Sequence, residues 1–388
     1  PRASRHARRR TPMLRSILPL AVALTFLSWT AAMADSGIKI GSLRFLGAAN
    51  ISNDTEVDGT LVGGLSGLDY DPVSGKWAII SDDKSDHAPA RFYLARIALD
   101  RGAPQVSFDR AVMLRQEDGT AYPNTKKGGE VPDPESIRFD PSGKALWWTS
   151  EGSGKLKLMP FVREAAPDGK FMAKLAVPAM FEMQDGKTAG PRDNLSFEGL
   201  SFTPDHDTLW LGMETALGQD GPIATVEAGS VARFTKFDRA GEMVGQYAYP
   251  VDPIQAKPAG KNSDNGVSEV LALDEDRLLV IERSGVEGAD GKWTMYIRLY
   301  EADAAGATDV SGIAALAGAT YRPMRKRLIL DLSKMPELGS AALPFIDNIE
   351  GVSFGPKLRD GHRSLVLVSD NNFNPAQVTQ FLAFEMLP

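Results

Sequence analysis

The strongest constraint on the fold is a short pattern that recurs five times along the chain. In each copy an apolar segment runs into a turn, and a second apolar segment follows and ends at an acidic residue. Successive copies begin 63 to 82 residues apart, which is enough chain for four strands and their loops. The first segments begin at Ser66, Glu135, Glu198, Ser268 and Glu350.

Repeated four-stranded sheets protect their strand edges when they are arranged radially around a channel, so the pattern predicts an all-β fold, a β-propeller with five blades. The fifth repeat lacks its last strand, whereas Ile38 to Leu46 precedes the first repeat without a partner. We therefore expect the N- and C-terminal strands to complete one blade together and close the ring. Two alternatives are a sixth blade hidden in residues 303–321 and a pair of β-sandwiches.

Residues 1–34 have the features of an export signal. Six arginines precede the apolar run Ile17 to Trp29, and a small-x-small motif ends at Ala34. Thirteen residues are too few to cross a bilayer comfortably, so we expect cleavage after Ala34 and no stable membrane insertion afterwards. Residues 35–388 are then a single propeller domain in the periplasm or outside the cell.

Composition excludes several classes of function. Without the six arginines the chain has 37 basic and 50 acidic residues, a net charge of −13 that repels nucleic acid. The absence of cysteine excludes disulfides, Cys-ligated zinc and thiol nucleophiles. The sequence does not indicate an oligomeric state.

The recurring acids predict a metal site. In an antiparallel hairpin the start of the first strand lies beside the end of the second, so acids at both positions meet at one mouth of the channel. Their mutual repulsion favours a divalent cation, and Ca²⁺ prefers oxygen ligands. The alternative is that acids end these strands only because turns favour polar residues. The predicted metal ligands are Asp82, Glu135, Glu151, Glu198, Glu214, Glu269, Glu282, Glu350 and Asp370.

Catalytic and substrate-binding residues are predicted near the same mouth. Glu198, Glu214 and Asp82 are the candidate catalytic acids, and His87 is a candidate general acid or base, with a solvated loop histidine as the alternative. Basic residues that follow the acidic positions suit a metal-bridged phosphate, although ordinary surface ion pairs give the same pattern. The predicted substrate-binding cations are Lys84, Arg91, Lys155 and Arg283.

Several segments resemble the bacterial phytase-like family that is described as having esterase-like activity. They are Gly64 to Asp71, Ser81 to Asp83, Asn194 to Phe202 and Ile349 to Val352, and the resemblance spans about Leu61 to Phe384. It implies phosphoesterase or phosphodiesterase activity in a propeller-like domain. Ser66 and Ser268 replace the expected glutamate, which makes any metal site asymmetric. The resemblance implies as functional acids Asp82, Glu135, Glu151, Glu198, Glu214, Glu350 and Asp370.

The sequence therefore predicts an exported β-propeller hydrolase that acts on small-molecule phosphate esters or diesters with carboxylate-bound Ca²⁺. One alternative is a non-catalytic binding propeller whose Ca²⁺ is structural. A second alternative is a metal-dependent lactonase or carboxylic esterase.

Overall fold

A computed structural model describes residues 37–99, 103–184 and 188–388. The predicted export signal, residues 1–34, lies outside the described residues. The first described strand is β1 (Ser42–Ile51), and a small ribbon of β2 (Glu56–Val57) and β3 (Thr60–Leu61) follows it. No helix within these described ranges has the length and apolar character needed to cross a bilayer.

The remaining strands form five antiparallel sheets, which are the blades of a propeller. In blades 1 to 4 the chain begins at the inner strand and proceeds outward, whereas the outermost strand of blade 5 is the N-terminal β1. Blade 1 contains β4 (Leu65–Asp71), β5 (Lys76–Ser81), β6 (Arg91–Ala98) and β7 (Gln105–Met113). Blade 2 contains β8 (Pro134–Phe139), β9 (Leu146–Ser150), β10 (Phe161–Ala165) and β11 (Phe171–Lys174).

The other blades follow in chain order, with short 3₁₀ helices at Ala179–Phe181 and Leu332–Lys334. Blade 3 contains β12 (Phe197–Phe202), β13 (Thr208–Met213), β14 (Ser230–Asp238) and β15 (Met243–Val251). Blade 4 contains β16 (Ser263–Ala272), β17 (Arg277–Glu287), β18 (Trp293–Asp303) and β19 (Arg325–Asp331). Blade 5 begins with β20 (Asn348–Lys357), β21 (Arg363–Asp370) and β22 (Thr379–Leu387).

The N-terminal strand completes blade 5. β1 pairs antiparallel with β22 from Ser42 opposite Leu387 to Ile51 opposite Thr379. The five-bladed propeller and its closure by the two terminal strands are thus confirmed. The alternatives of a sixth blade and of two β-sandwiches are wrong, because residues 304–324 form a loop between β18 and β19. This loop lies against blade 3, where Val310 and Leu316 pack on Ala248.

The inner strands contact one another in the ring order β4, β8, β12, β16, β20 and back to β4. Glycines allow this close approach. An added Cβ at Gly67 would lie 2.6 Å from the carbonyl oxygen of Glu135, and one at Gly199 would lie 2.6 Å from the amide nitrogen of Val270. At these positions the backbones of neighbouring inner strands approach so closely that a side chain would not fit.

A buried ion pair connects all five inner strands. Arg138 of β8 approaches Glu269 of β16, with Nη2 2.9 Å from Oε2. Arg138 also donates hydrogen bonds to the carbonyl oxygens of Leu68 in β4 and Val352 in β20, and Glu269 accepts one from the amide of Leu200 in β12. We call Arg138 and Glu269 the axial pair, because residues that touch all five inner strands lie on the central axis.

Candidate acidic site at one mouth of the propeller

A cavity of about 1370 Å³ opens at the mouth where the inner strands begin. Seven of the nine predicted metal ligands line it, and so do two of the four predicted substrate-binding cations. The seven acids are Asp82, Glu135, Glu151, Glu198, Glu214, Glu350 and Asp370. The structure thus brings together acids that are scattered over nearly three hundred residues of sequence.

Strand register explains this convergence. In every blade the residue that opens the inner hairpin lies opposite the residue that ends it, either as a strand pair or through a backbone hydrogen bond such as Glu214 N to Ser196 O at 2.8 Å. We call these five pairs the mouth rung. They are Gly64 with Asp82, Asp133 with Glu151, Ser196 with Glu214, Gly266 with Arg283, and Asn348 with Asp370.

A β-bulge follows the mouth rung in each blade. Two residues after the opening residue the register shifts, so one extra residue of the inner strand stands without a direct partner. A bulge redirects a side chain, and three of the five bulge residues are glutamates that line the cavity. The bulge residues are Ser66, Glu135, Glu198, Ser268 and Glu350.

Glu282 does not line the cavity, contrary to the sequence prediction. Strand β17 continues to Glu287, so Glu282 lies within the strand and its neighbour Arg283 occupies the mouth rung. Consecutive residues face opposite sides of a sheet, and Glu282 accepts hydrogen bonds from Tyr249 Oη at 2.7 Å and Lys326 Nζ at 2.6 Å. Blade 4 therefore contributes a cation where the other four blades contribute an acid.

Glu269 also lies away from the cavity lining. It is fully buried in the axial pair, where Arg138 and Ser136 bind its carboxylate. Burial raises the pKa of Glu269 to about 7, while Arg138 opposes that shift. Its oxygens are engaged by protein groups, so it is not placed to bind a cation at the mouth.

Two groups of three buried carboxylates meet within the cavity. One contains Asp133, Glu135 and Glu151, and the other contains Glu151, Glu198 and Glu214. In each group one oxygen from every residue lies within 4.8 Å of the others. Glu151 belongs to both groups, and the amide of Ser196 donates to its Oε1 at 2.7 Å. We call these groups the two acidic triads.

All five carboxyl groups of the triads have raised pKa values. Burial raises the pKa of Glu151 to about 7, with a further contribution from the charge of Asp133. Burial also raises the pKa of Asp133 to about 6, although Lys84 opposes that shift. The pKa values of Glu135, Glu198 and Glu214 lie well above the usual range for the same reason, burial followed by repulsion from neighbouring carboxylates.

The residues present fit a hard divalent cation. The donors are oxygens, and no histidine is found among the described residues that line the cavity. Asn348 adds an independent observation, because its Nδ2 donates to Glu350 at 2.9 Å while its Oδ1 is buried without a hydrogen-bond partner among the described residues. That unpartnered oxygen is a further acceptor in a lining whose donors to a cation would all be oxygens.

Two cations of the protein stand beside the acids. Lys84 Nζ lies 2.6 Å from Asp133 Oδ2, and Arg283 Nε lies 3.6 Å from Glu350 Oε1. Burial disfavours the charge on both groups, but the surrounding carboxylates outweigh burial and raise both pKa values. Both side chains therefore stay charged near neutral pH.

The other two predicted cations do not line the cavity. Arg91 is buried and binds Asp83 Oδ2 at 2.7 Å and the carbonyl oxygen of Leu61 at 3.0 Å. Lys155 is exposed on the loop after β9. Arg91 has a structural role in blade 1, since its guanidinium ties the turn after β5 to the ribbon.

His87 is also absent from the cavity lining. Its ring stacks on Phe373 with the centroids 4.1 Å apart, and half of its side chain is exposed. Its Nδ1 lies 3.6 Å from Asp83. The structure therefore places this histidine beside Phe373 and Asp83, outside the cavity lining, and the acidic side chains of the lining are carboxyl groups.

Sequence reasoning missed Asp133, Asp264 and an apolar part of the lining that includes Trp293 and Phe345. The sequence did contain a signal for Asp133, because Asp133 precedes Glu135 by two residues and Ser196 precedes Glu198 by the same spacing. Asp264, which accepts a hydrogen bond from the amide of Gly285 at 2.9 Å, has no counterpart in the other repeats.

Comparisons with known proteins give one sequence match and several structural ones. A profile of the phytase-like family, described as having the esterase-like activity of phytase, matches residues 60–373. No curated protein matches the chain. Among solved structures, the catalytic domain of an α-L-arabinofuranosidase from Coprinopsis cinerea is 11% identical with a TM-score of 0.40, over 89% of this chain and 97% of that one.

A gluconolactonase from Xanthomonas campestris is 12% identical with a TM-score of 0.31, over 89% of this chain and 98% of that one. The Dos1 propeller is 9% identical with a TM-score of 0.31, over 89% of this chain and 96% of that one. At these values the structural matches carry no conclusion about chemistry.

Proposed function

The chain belongs to the phytase-like family, and from that premise we propose that it hydrolyses phosphate esters or diesters of small molecules at the acidic mouth of its propeller. Family and fold together support a hydrolase-like propeller, as the sequence motifs predicted. The observation that carries the finer proposal is the pair of acidic triads that share Glu151 and stand in one cavity with Arg283. The proposal includes export of the protein and calcium as the cation.

The triads would hold the cation through Asp133, Glu135, Glu151, Glu198 and Glu214. When bound there, a divalent cation supplies a Lewis acid for the phosphoryl group and compensates the buried negative charge. Binding would also remove the repulsion that raises the pKa values of the five carboxyls.

Arg283 is placed to bind the anionic phosphoryl oxygens. It comes from the mouth rung, and its guanidinium lies between Glu350 at 3.6 Å and Glu214 at 4.0 Å without the short contacts of a closed ion pair. Guanidinium groups form strong charge-assisted hydrogen bonds to phosphate. Arg283 therefore orients the ester against the triads and offsets charge that builds up on the transferred group.

We assign Asp82 the role of the general acid, which donates a proton to the leaving oxygen. It lines the cavity outside both triads, and burial followed by repulsion from Asp370 and Glu350 raises its pKa well above the usual range. A carboxyl group that retains its proton near neutral pH is a suitable general acid. Asp370 and Glu350 then keep it protonated rather than act on the substrate.

The proposal is tested with p-nitrophenyl phosphate and bis-p-nitrophenyl phosphate as substrates. We expect calcium-dependent release of nitrophenol by the wild type, abolished by chelator and restored by calcium. Glu198→Gln should reduce kcat by about 100-fold or more, because it removes a ligand charge while conserving shape. Glu117→Gln is the matched control, since Glu117 is exposed on a loop after β7.

A folded, calcium-loaded wild type that releases no nitrophenol from either ester would contradict the proposal. If chelator lowered the melting temperature of that inactive protein, the cation would be structural and the chain a binding propeller. If only a lactone or a carboxylic ester were turned over, the substrate would carry an acyl group instead of a phosphoryl group.

A further inference from the structure

The lining of the acidic cavity also contains large apolar side chains. Trp293 from β18 and Phe345 from the loop before β20 line the same cavity as the triads, and each keeps 44% of its surface exposed. Met295, Tyr296 and Ile346 are partly buried beside them in the lining. We call these five residues the apolar wall. Large aromatic side chains left exposed inside a concave site are typical of ligand contact.

The apolar wall is held in place by its backbone. The Trp293 ring lies against Gly285, where an added Cβ would stand 2.9 Å from two ring carbons. The carbonyl oxygen of Phe345 accepts a hydrogen bond from Gln380 Nε2 at 3.2 Å. The neighbouring Asp347 accepts from the amide of Val378 at 2.7 Å. Both exposed rings therefore belong to segments that are fixed by these contacts. The rings are preorganised to contact a ligand and are not free to collapse onto the protein.

The charge of the lining argues against a ligand with many phosphates. Among the described lining residues, ten are acidic and only Lys84, Arg283 and Lys292 are basic. Lys84 and Arg283 already lie within 4 Å of carboxylates. Even one divalent cation in each triad leaves the lining negative, so a polyanion would meet net repulsion.

The volume argues for a ligand larger than a phosphate ion. The cavity of about 1370 Å³ exceeds the usual range for small-molecule sites. We propose that the apolar wall binds an alkyl or aryl group of the substrate. The preferred substrates are then esters with one anionic phosphoryl group at the triads and one apolar group on Trp293 and Phe345. This inference rests on the proposed function.

The first experiment uses alkyl p-nitrophenyl phosphate diesters with methyl, butyl and octyl chains, below their micellar concentrations. The leaving group is constant, so kcat/KM reports contact with the alkyl chain. We expect kcat/KM of the wild type to rise about tenfold from methyl to octyl. Trp293→Ala and Phe345→Ala should each lower kcat/KM for the octyl ester more than for the methyl ester, so that the rise with chain length is reduced.

Leu328→Ala is the matched control, because Leu328 is 45% exposed but lies outside the cavity lining. It should keep the full chain-length dependence. Equal kcat/KM for all three esters with the wild type would overturn the inference. So would a uniform loss for every ester in both wall variants, which indicates a structural role, or faster turnover of an inositol hexakisphosphate than of the octyl ester.

A binding measurement separates failure of this inference from failure of the proposed function. Methylphosphonate and octylphosphonate are titrated by calorimetry into the calcium-loaded wild type and Trp293→Ala, with no hydrolysis required. About tenfold tighter binding of octylphosphonate, lost in Trp293→Ala, supports the apolar wall even if no ester is hydrolysed. Equal binding of the two phosphonates overturns the apolar wall even if both nitrophenyl esters are hydrolysed.

Discussion

At the scale of single residues, Glu151 is the most informative position because it belongs to both acidic triads. Glu151→Gln conserves the acceptor for the amide of Ser196 and removes the shared charge. We expect calcium affinity to fall about tenfold or more, and further than in Glu135→Gln or Glu198→Gln, which each touch one triad. Isothermal titration with calcium measures all three variants.

The same substitution should have the opposite effect on the metal-free protein. With chelator present, Glu151→Gln removes one of several buried, mutually repelling charges, so its melting temperature should exceed that of the wild type. Scanning calorimetry with and without calcium would show the change in melting temperature for the calcium-loaded and for the metal-free protein, and we expect these two changes to have opposite signs. Calcium affinity equal to that of the wild type would mean that the triads do not share a ligand.

Residue-level prediction from the sequence succeeded where a hairpin is regular and failed where a strand is longer. The four acids of the mouth rung follow directly from the end of the second strand. In blade 4 the apolar run ends at Ile281, yet β17 continues to Glu287, so the rung position falls on Arg283 instead of Glu282. A shift of one residue reverses the side to which a side chain points.

At the scale of strands and hairpins, the glycine beside the bulge determines how closely two inner strands approach. We expect Gly199→Ala to destabilise the protein by about 2–4 kcal/mol, since the added methyl would meet the backbone of β16. The free energy of unfolding in urea checks this. Gly312→Ala is the control, because nothing lies within 4 Å of its added Cβ. A loss at Gly199 no greater than at Gly312 would mean that β12 can shift without cost.

Strands were predictable from the sequence because the repeat is local. A hairpin of two short apolar runs can be recognised within about fifteen residues, and five copies compensate for irregular outer strands. β10 and β11 of blade 2 carried no comparable signal, since they are short and only partly buried. The apolar wall was missed for a different reason. Its residues come from a strand of blade 4 and from a loop some fifty residues later in the sequence. These two segments lie side by side only when the ring of blades is closed.

At the scale of the whole molecule, the axial pair connects five blades that are otherwise joined in sequence order. Removing one member leaves a buried charge without its partner, so we expect Arg138→Met to cost about 3–5 kcal/mol of unfolding free energy. The double variant Arg138→Met with Glu269→Gln should recover part of that loss. Arg96→Met, whose ion pair with Asp109 is exposed, should change stability by less than about 0.5 kcal/mol.

These stabilities are compared by urea unfolding of the calcium-loaded proteins. A double variant no more stable than Arg138→Met would show that the pair contributes through shape rather than charge. The sequence could not have predicted this pair, because Glu269 stands where three of the other repeats have glycine and Arg138 belongs to another blade.

The stability of the whole metal-free protein should fall as pH rises from about 5 to 8. Burial raises the pKa of Glu151 to about 7 and of Asp133 to about 6 in the folded state, whereas unfolded carboxyls titrate near 4. Between those values the folded protein binds more protons than the unfolded chain, so unfolding becomes easier as the protons are lost. Bound calcium replaces them, and the calcium-loaded protein should show little dependence over the same range.

Melting temperatures at pH 5 and pH 8, with chelator and with calcium, test this coupling. We expect a decrease of about 5 °C or more across that range in chelator and a much smaller one in calcium. His362, whose pKa is raised by Glu385, changes stability in the same direction, so the series is repeated in His362→Gln to remove its contribution. A metal-free protein that becomes more stable from pH 5 to pH 8 would contradict the assignment of these carboxyls as a buried site that needs a cation.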